Sequence, residues 1–96
     1  MEVEVVFCSR PRVKALKIFL QLGQLNVSEV AHRLGINYEA ALRHLKMLED
    51  EGILQHRVYG RIRLYKFNEG SSRAKAVRNL LETWESLEKG RSHRAR

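Results

Sequence analysis

The stretch from residue 27 to residue 67 constrains the fold of this 96-residue chain more than any other. It begins with VSEVAHRL, breaks at Gly35-Ile36-Asn37, and resumes with YEAALRHLKMLEDE before Gly52. Apolar residues recur three and four apart on both sides of the break, which predicts two amphipathic helices around a tight turn. Gly35 can adopt the left-handed conformation that ends a helix, and Asn37 can cap the helix that follows.

The residues after the second of these helices predict a two-stranded hairpin. Segments 53–58 and 62–67 are rich in β-branched, aromatic and basic residues, and Gly60 lies between them. By strand alternation, Arg61 and Arg63 share one face. Tyr65 and Phe67 have the same parity and are expected to anchor the strand in the core. A helix-turn-helix at about 27–51 followed by a wing at about 53–67 is the resulting prediction.

Two further helices are predicted on either side. Ser9 is an N-cap candidate before a helix that contains Pro11 in its first turn and ends at Gly23. Either Ser71 or Ser72 is expected to cap the last helix, which ends at Gly90.

Two boundaries stay open at this level. The lead-in from Val3 to Phe7 fits a short strand or the start of a helix equally well. Residues 25–27 are a short extended connector, and either Ser28 or Asn26 can cap the helix that follows.

Charge favours a polyanionic partner. The chain has 18 Lys and Arg against 11 Asp and Glu, a formal charge of +7, although a solubilising surface would also account for that excess. Its placement is more informative, because no acidic residue occurs between Gly52 and Asn68. Four basic residues do occur there: Arg57, Arg61, Arg63 and Lys66. They indicate contact with DNA phosphates or the minor groove, although they could also protect a sheet edge from aggregation.

The second helix of the helix-turn-helix is expected to enter the DNA major groove. Ala41, Leu45 and Leu48 form its buried stripe, with His44 at the edge. The other side suits base contact: Arg43 to guanine, Glu39 to cytosine, Leu42 to a thymine methyl. A solvated amphipathic helix is the alternative. Including Lys46 for phosphate, the predicted DNA-contacting residues are Tyr38, Glu39, Leu42, Arg43, Lys46, Arg57, Arg61 and Arg63.

Other functions find little support. Cys8 is the only cysteine, so an intrachain disulfide and a cysteine-rich zinc site are excluded, and we expect a buried or semi-buried structural thiol. His32 and His44 lie on or beside apolar helix faces and are expected to be structural residues rather than metal ligands. No catalytic residue, metal site or cofactor is predicted, and the chain is not expected to be an enzyme. No apolar run approaches the ~20 residues of a membrane span, and MEVEVVF lacks signal-peptide features, so a cytoplasmic protein is expected.

The order of these motifs resembles the winged helix-turn-helix transcription regulators, in particular the small ArsR-like repressors and their archaeal relatives. The matching stretches are FCSRPRVKAL at 7–16, VSEVAHRLGIN at 27–37, RHLKMLE at 43–49, EGIL at 51–54 and YGR at 59–61. The resemblance implies a homodimer that binds a roughly palindromic site on double-stranded DNA and controls transcription, usually as a repressor. Metal sensing is not expected, because the Cys-x-Cys pair of metal-sensing members is missing and the last helix offers only Glu82, Glu85 and Glu88.

The last helix has an apolar stripe that must be buried on its own domain or on a second copy. Its members are Val77, Leu80, Leu81, Trp84 and Leu87. The family resemblance favours the second copy, and two-fold pairing is the commonest symmetry. The predicted fold class is therefore α+β, mainly helical: a winged helix-turn-helix with a C-terminal dimerisation helix at about 71–89. Residues 1–90 are expected to form one domain and residues 91–96 a basic flexible tail.

The leading hypothesis is a sequence-specific dimeric transcription regulator. An architectural DNA-binding protein would use the same basic surface without base recognition. A winged helix can also be reused as a protein-interaction module.

Overall fold

The computed structural model describes residues 2–94 and shows five helices and one three-stranded antiparallel sheet in that range. The elements are α1 (Val3–Phe7), α2 (Arg10–Leu22), β1 (Leu25–Asn26), α3 (Val27–Leu34), α4 (Tyr38–Asp50), β2 (Leu54–Tyr59), β3 (Ile62–Phe67) and α5 (Ser72–Arg94). This is the predicted α+β, mainly helical winged helix-turn-helix. The N-terminal segment that sequence left undecided is a helix, α1.

Local side-chain chemistry explains where α2 begins and ends. Ser9 Oγ accepts a hydrogen bond from the Arg12 amide at 3.3 Å, and a proline occupies the first turn. At the other end, Gly23 has a φ of +87°, a conformation that disfavours any residue with a Cβ. The predicted start and end of this helix are confirmed.

A capping box starts α3. Asn26 Oδ1 accepts from the Glu29 amide at 2.8 Å, while Glu29 Oε1 accepts from the Asn26 amide at 2.9 Å. Of the two candidate caps, Asn26 is therefore the cap and Ser28 lies inside the helix. Asn26 can serve because it ends β1 with extended backbone, which leaves its side chain free to turn toward the helix.

The turn between α3 and α4 follows the prediction. Gly35 is left-handed at a φ of +68°, and Asn37 Oδ1 accepts from the Ala40 amide at 2.8 Å. Two consecutive helices are thereby joined with their ends satisfied by local groups.

The sheet joins the helix-turn-helix to the wing. Its strand order is β1-β3-β2, with Leu25 opposite Tyr65 and Asn26 opposite Leu64. β1 ends at Asn26, so it covers β3 only as far as Leu64. From Leu64 to the turn the sheet has only two strands, β2 and β3, and Tyr59 and Ile62 are the last pair before the turn. Gly60, at a φ of +61°, is the first residue of the two-residue connection, which is where a type II′ turn requires glycine.

The core lies between α2, the helix-turn-helix, the base of the sheet and one side of α5. The fully buried large side chains include Leu16, Phe19, Leu25, Val30, Leu45, Leu48, Ile53, Leu54 and Tyr65. Tyr65 and Phe67 anchor the wing in this core, as strand parity predicts.

Arg12 is a buried cation that sequence analysis did not identify. Only 7% of it is exposed. Its Nη1 donates to the Val5 carbonyl at 2.5 Å, in the last turn of α1, and its Nε donates to His44 Nδ1 at 3.4 Å. Carbonyl groups at a helix C-terminus suit a cation, and the imidazole provides a second acceptor. Arg12 thus links α1, α2 and α4.

Three sequence expectations are wrong. Cys8 is exposed, because it lies at the surface junction between α1 and α2, where its Sγ donates to the Val5 carbonyl at 3.2 Å. His32 is exposed as well. The last helix does not end at Gly90 but continues to Arg94, since an interior glycine costs only about 1 kcal/mol. Residues 91–94 of the predicted flexible tail are therefore helical, and residues 95–96 lie outside the described range.

The capping box gives a first testable prediction. Replacing Asn26 with alanine should lower the free energy of unfolding by about 1 kcal/mol, because the Glu29 amide loses its acceptor. Urea unfolding at one fixed protein concentration measures this change. Ser28→Ala is the matched control and should alter stability by less than about 0.5 kcal/mol. Equal losses in the two variants would contradict Asn26 as the cap.

His44 gives a second prediction, on pH. Burial lowers the pKa of His44, and the guanidinium groups of Arg12 and Arg43 lower it further. The hydrogen bond from Arg12 also requires an unprotonated Nδ1. Folded His44 therefore binds a proton less tightly than unfolded His44, whose pKa is 6.5. The contribution of His44 to the free energy of unfolding is therefore complete above pH 6.5. It is lost as the pH falls from 6.5 toward the lowered pKa of the folded state.

The measurement is the urea midpoint at about pH 7.5 and about pH 5.5 in the wild type and in His44→Gln. Glutamine retains an acceptor for Arg12 but does not titrate. The midpoint of the variant should fall less on acidification, and equal falls would exclude His44 as a source of the pH dependence.

Candidate nucleic-acid interface

Helix α4 presents a polar face to solvent and an apolar face to the core. Ala41, Leu45 and Leu48 are fully buried. On the other side Tyr38, Glu39, Arg43 and Lys46 are exposed, and Leu42 is half-buried at the boundary. All five residues predicted to face DNA from this helix are therefore accessible at least in part, as their spacing along the helix requires.

The wing arginines are exposed as well, but they occupy different positions. Arg57 lies in β2 and Arg63 in β3, whereas Arg61 lies in the turn between the strands. A groove of about 240 Å³ separates this part of the wing from the helix-turn-helix. It is lined by Asn26, Val27, Ser28, Tyr38, Arg61, Ile62 and Arg63, which we call the wing groove.

The wing groove combines several groups that favour an anion. Two of its lining side chains are guanidinium groups, and none is acidic. Val27 and Ser28 form the first turn of α3, where backbone amides have no partner within the helix. Helix N-termini and arginines both attract phosphate. The structure thus brings Tyr38 of α4 together with Arg61 and Arg63 of the wing.

Asn26, Val27 and Ser28 were missed as candidate interface residues by sequence analysis. They were considered only as a connector and as caps. An asparagine cap directly after a short extended segment marks a helix N-terminus, but sequence alone does not place that terminus beside the wing. The pairing of β1 with β3 does so.

Contacts between α4 and the hairpin hold the wing in place. His56 Nδ1 lies 2.6 Å from Glu49 Oε2, and the His56 ring stacks obliquely on Tyr65 with centroids 5.2 Å apart. Burial raises the pKa of Tyr65, an effect that nearby Arg63 opposes. The Tyr65 hydroxyl has no hydrogen-bond partner within the described part of the chain. Helix α4 and the base of the wing are therefore packed as one unit.

Two acidic residues at the end of α4 have partners away from the wing tip. Glu49 pairs with His56, and Glu51 pairs with Arg73 of α5 at 2.7 Å. The Glu51 charge is thus balanced by Arg73, and the Glu49 carboxylate is in contact with the His56 imidazole. Across residues 2–90, no three His, Cys, Asp or Glu side chains come together in a group that could hold a metal ion.

The predicted dimer stripe on α5 divides into two faces. Val77 and Leu81 are buried in the core of this chain. Leu80, Trp84 and Leu87 are 50%, 59% and 65% exposed. A shallow cavity of about 270 Å³ lies beside them, lined in part by Phe7 and Val13. The outer face therefore remains available to a second molecule, whereas the inner face is already covered.

None of the helices described here has the length and apolarity needed to cross a membrane.

Comparison with protein-family models gives a match to the bacterial regulatory protein, arsR family, over residues 10–56. That range runs from the start of α2 through the helix-turn-helix into β2. An HTH-type transcriptional regulator, B-115 of Sulfolobus spindle-shape virus 1, is 28% identical over 76 residues. The aligned part covers 79% of this chain and 66% of the viral protein, slightly under two thirds of the latter.

Solved structures share the fold of this chain. Reduced HlyU from Vibrio cholerae superposes with a TM-score of 0.69 at 25% identity, over 83% of this chain and 81% of that one. The homodimeric winged helix-turn-helix DNA-binding domain of Mb0332 from Mycobacterium bovis gives 0.71 at 21% identity, over 91% and 75% of the two chains. At that identity the second match supports the fold alone. The chain therefore has a winged helix-turn-helix fold, and its residues 10–56 match the arsR family model.

Proposed function

We propose that this protein is a homodimeric, sequence-specific DNA-binding regulator of transcription, acting as a repressor. The observation that supports this most directly is the wing groove. There the wing, which has no acidic residue, lies beside the N-terminus of α4, and two arginines line the space between them. A polyanion is the partner that such a groove favours. Repression is the role usual among the ArsR-like regulators that the chain resembles.

In this proposal α4 enters the major groove with its N-terminal half. Arg43 donates two hydrogen bonds to O6 and N7 of a guanine, the commonest base-specific contact in protein–DNA complexes. Glu39 accepts from a cytosine amino group, and half-buried Leu42 approaches a thymine methyl. Lys46, one turn further along, meets a phosphate and sets the position of the helix without selecting a base.

The wing adds contacts outside the major groove. Arg57, Arg61 and Arg63 are all exposed. They can neutralise the DNA backbone flanking the bases that α4 contacts, and each phosphate neutralised adds about 0.9 to the salt dependence of binding on a double-logarithmic scale.

The outer face of α5 provides the dimer contact. Leu80, Trp84 and Leu87 are large, apolar and exposed along one side of a long helix. The Mb0332 domain, which shares this fold, is described as homodimeric and DNA-binding. Two-fold pairing through α5 would present two copies of α4 to a palindromic site, which is how dimeric helix-turn-helix proteins match the symmetry of their operators.

Selection of bound DNA from a random pool tests the proposal. We expect one short, roughly palindromic motif, bound at least about 1000-fold more tightly than random DNA. A specificity ratio near one would instead indicate an architectural DNA-binding protein. Absence of salt-dependent DNA binding would indicate a protein-interaction module. A reporter promoter carrying the selected site then shows whether binding represses transcription.

Two exposed residues on α4 form a matched pair for a third prediction. Arg43→Ala should weaken binding to the selected site by about 1–3 kcal/mol and abolish the preference at one base pair. Lys46→Ala should weaken binding to all sequences similarly and lower the salt slope by about 0.9. Titrations of selected and single-base variant DNA at several salt concentrations measure both effects. Loss of base preference in Lys46→Ala but not in Arg43→Ala would refute the assignment.

Trp84 gives a fourth prediction. Because Trp84 is 59% exposed in the single chain, its replacement by alanine should leave the protomer folded but weaken the dimer, and DNA affinity with it. Sedimentation at low micromolar concentration measures the dimer. Ser86→Ala, an exposed position on the same helix away from the apolar face, should stay dimeric. A Trp84→Ala variant that remains as dimeric as this control would remove α5 as the interface.

A further inference from the structure

The buried cation Arg12 donates only to neutral acceptors. Its Nη1 donates to the carbonyl groups of Val5 and Val6, at 2.5 and 3.4 Å, and its Nε donates to His44 Nδ1 at 3.4 Å. Burying a charge among neutral acceptors is costly, and an apolar side chain of similar volume is often at least as stabilising in such a place. What the guanidinium adds to the molecule is therefore its contacts, which reach two different helices.

The first of these helices is α1, which depends on Arg12 for its attachment. It has five residues, too few to be stable in isolation, and its N-cap residue, Glu2, makes no side-chain capping bond. A helix C-terminus favours a cation, but α1 has no basic residue in its own last turn. Arg12 supplies that cation from α2. Helix α1 can therefore dock or undock as a unit, and Arg12 stabilises the docked state.

Docked α1 borders the face of α5 that we assign to the dimer. Phe7, the last residue of α1, lines the same cavity as Leu80 and Trp84. Helix α2 also reaches this face, where Lys17 Nζ lies 3.5 Å from Glu85 Oε2. A second copy that covers the outer face of α5 would therefore contact α1 as well and would favour its docked state.

The second helix that Arg12 reaches is α4, next to a proposed base-contacting residue. His44 is half-buried at the edge of the apolar stripe of α4, and its neighbour in the chain, Arg43, is exposed. The bond from Arg12 to His44 therefore fixes the rotation of α4 about its own axis close to Arg43. Base contact by Arg43 requires two aligned hydrogen bonds, so a small rotation is enough to weaken it.

We propose that Arg12 is a positioning residue for DNA recognition, which couples the dimer face to α4 through the Val5 carbonyl and the His44 ring. In the dimer α1 stays docked, Arg12 is held against both acceptors, and Arg43 is presented to its base. In a single protomer α1 undocks more often, Arg12 loses its carbonyl acceptors, and base discrimination falls. Dimerisation and specific binding thus strengthen each other by the same factor. This inference rests on the proposed function and connects its two surfaces.

A double-mutant cycle tests whether Arg12 acts through His44. Arg12→Met removes the donors but fills a similar space, and His44→Leu removes the acceptor. On the selected site, at protein concentrations well above dimer dissociation, each variant should lose about tenfold of the discrimination at the base pair that Arg43 contacts. The combined variant should lose no more than either alone, because both changes break the same contact. Losses that multiply in the combined variant would overturn the link through His44.

Two controls separate positioning from loss of charge and from packing. Arg10→Met removes the same charge from an exposed position on the same helix and should leave discrimination at that base pair unchanged. His44→Gln retains an acceptor for Arg12 and should keep most of the discrimination that His44→Leu loses. Equal losses in these two His44 variants would contradict the hydrogen bond as the cause. His44→Leu also keeps the proposal testable if Arg12→Met does not fold.

DNA with a single half-site tests the coupling to the dimer. Only one copy of α4 can contact bases there, so the second protomer adds no base contact of its own. We expect the Trp84→Ala monomer to discriminate about tenfold less than the wild-type dimer at the Arg43 base pair. Arg12→Met should discriminate equally weakly with and without Trp84→Ala. Full discrimination by the monomer would overturn the coupling.

Hydrogen exchange of the α1 amides tests the moving element without DNA. These amides should exchange faster in Arg12→Met, and in the Trp84→Ala monomer, than in the wild-type dimer, because undocking exposes them. The amides of α4 should remain protected in both variants. Equal exchange of α1 in all three proteins would overturn its part in the coupling.

The outcomes separate this inference from the proposed function. Failure of the wild-type protein to select any site would overturn both. A Trp84→Ala variant that stays dimeric would overturn the interface on α5 and the coupling to it, while the cycle of Arg12 and His44 still decides the positioning role. Normal site selection with full discrimination in Arg12→Met and His44→Leu would overturn this inference alone.

Discussion

Two residues, Leu25 and Asn26, determine how the helix-turn-helix is placed against the wing. They pair with Tyr65 and Leu64 on β3, and the second of them also caps α3. The N-terminus of α3 is therefore attached directly to the middle of the hairpin. If this short pairing were absent, Arg61 and Arg63 would still be exposed, but they would not face Tyr38 across one groove. The surface that favours an anion depends on this junction.

Sequence predicted those features that depend on neighbouring residues. The left-handed Gly35, the Asn37 cap and the inward parity of Tyr65 follow from local conformation or from strand alternation. What it did not predict depends on contacts between distant segments. The choice of Asn26 over Ser28 as cap follows from β1 pairing, and the burial of Arg12 depends on the carbonyl and imidazole acceptors that α1 and α4 bring to it. Neither partner is evident from a periodic pattern.

The packing of α5 could not be predicted from its sequence pattern either. Five apolar residues three and four apart predict one stripe, yet that stripe is wide enough to serve two surfaces. Val77 and Leu81 complete the core of their own chain, while Trp84 and Leu87 point away from it. Periodicity gives the width of an apolar face but does not say how much of it a single domain covers. In the proposed dimer, α5 would join the two cores through one continuous helix each, so the two recognition helices would be positioned by packed side chains rather than by a flexible linker.

The position of Glu39 indicates how a protein with a charge of +7 could still discriminate among DNA sequences. Two other acidic groups on this side of the molecule, Glu49 and Glu51, are paired with His56 and Arg73. Glu39 is exposed in the first turn of α4, among the residues proposed to face the bases. A carboxylate there repels phosphate and every base edge that offers only acceptors, and it is favourable opposite a cytosine amino group. The wing arginines add affinity for any DNA, whereas Glu39 reduces it for most sequences, and specificity is the difference between the two.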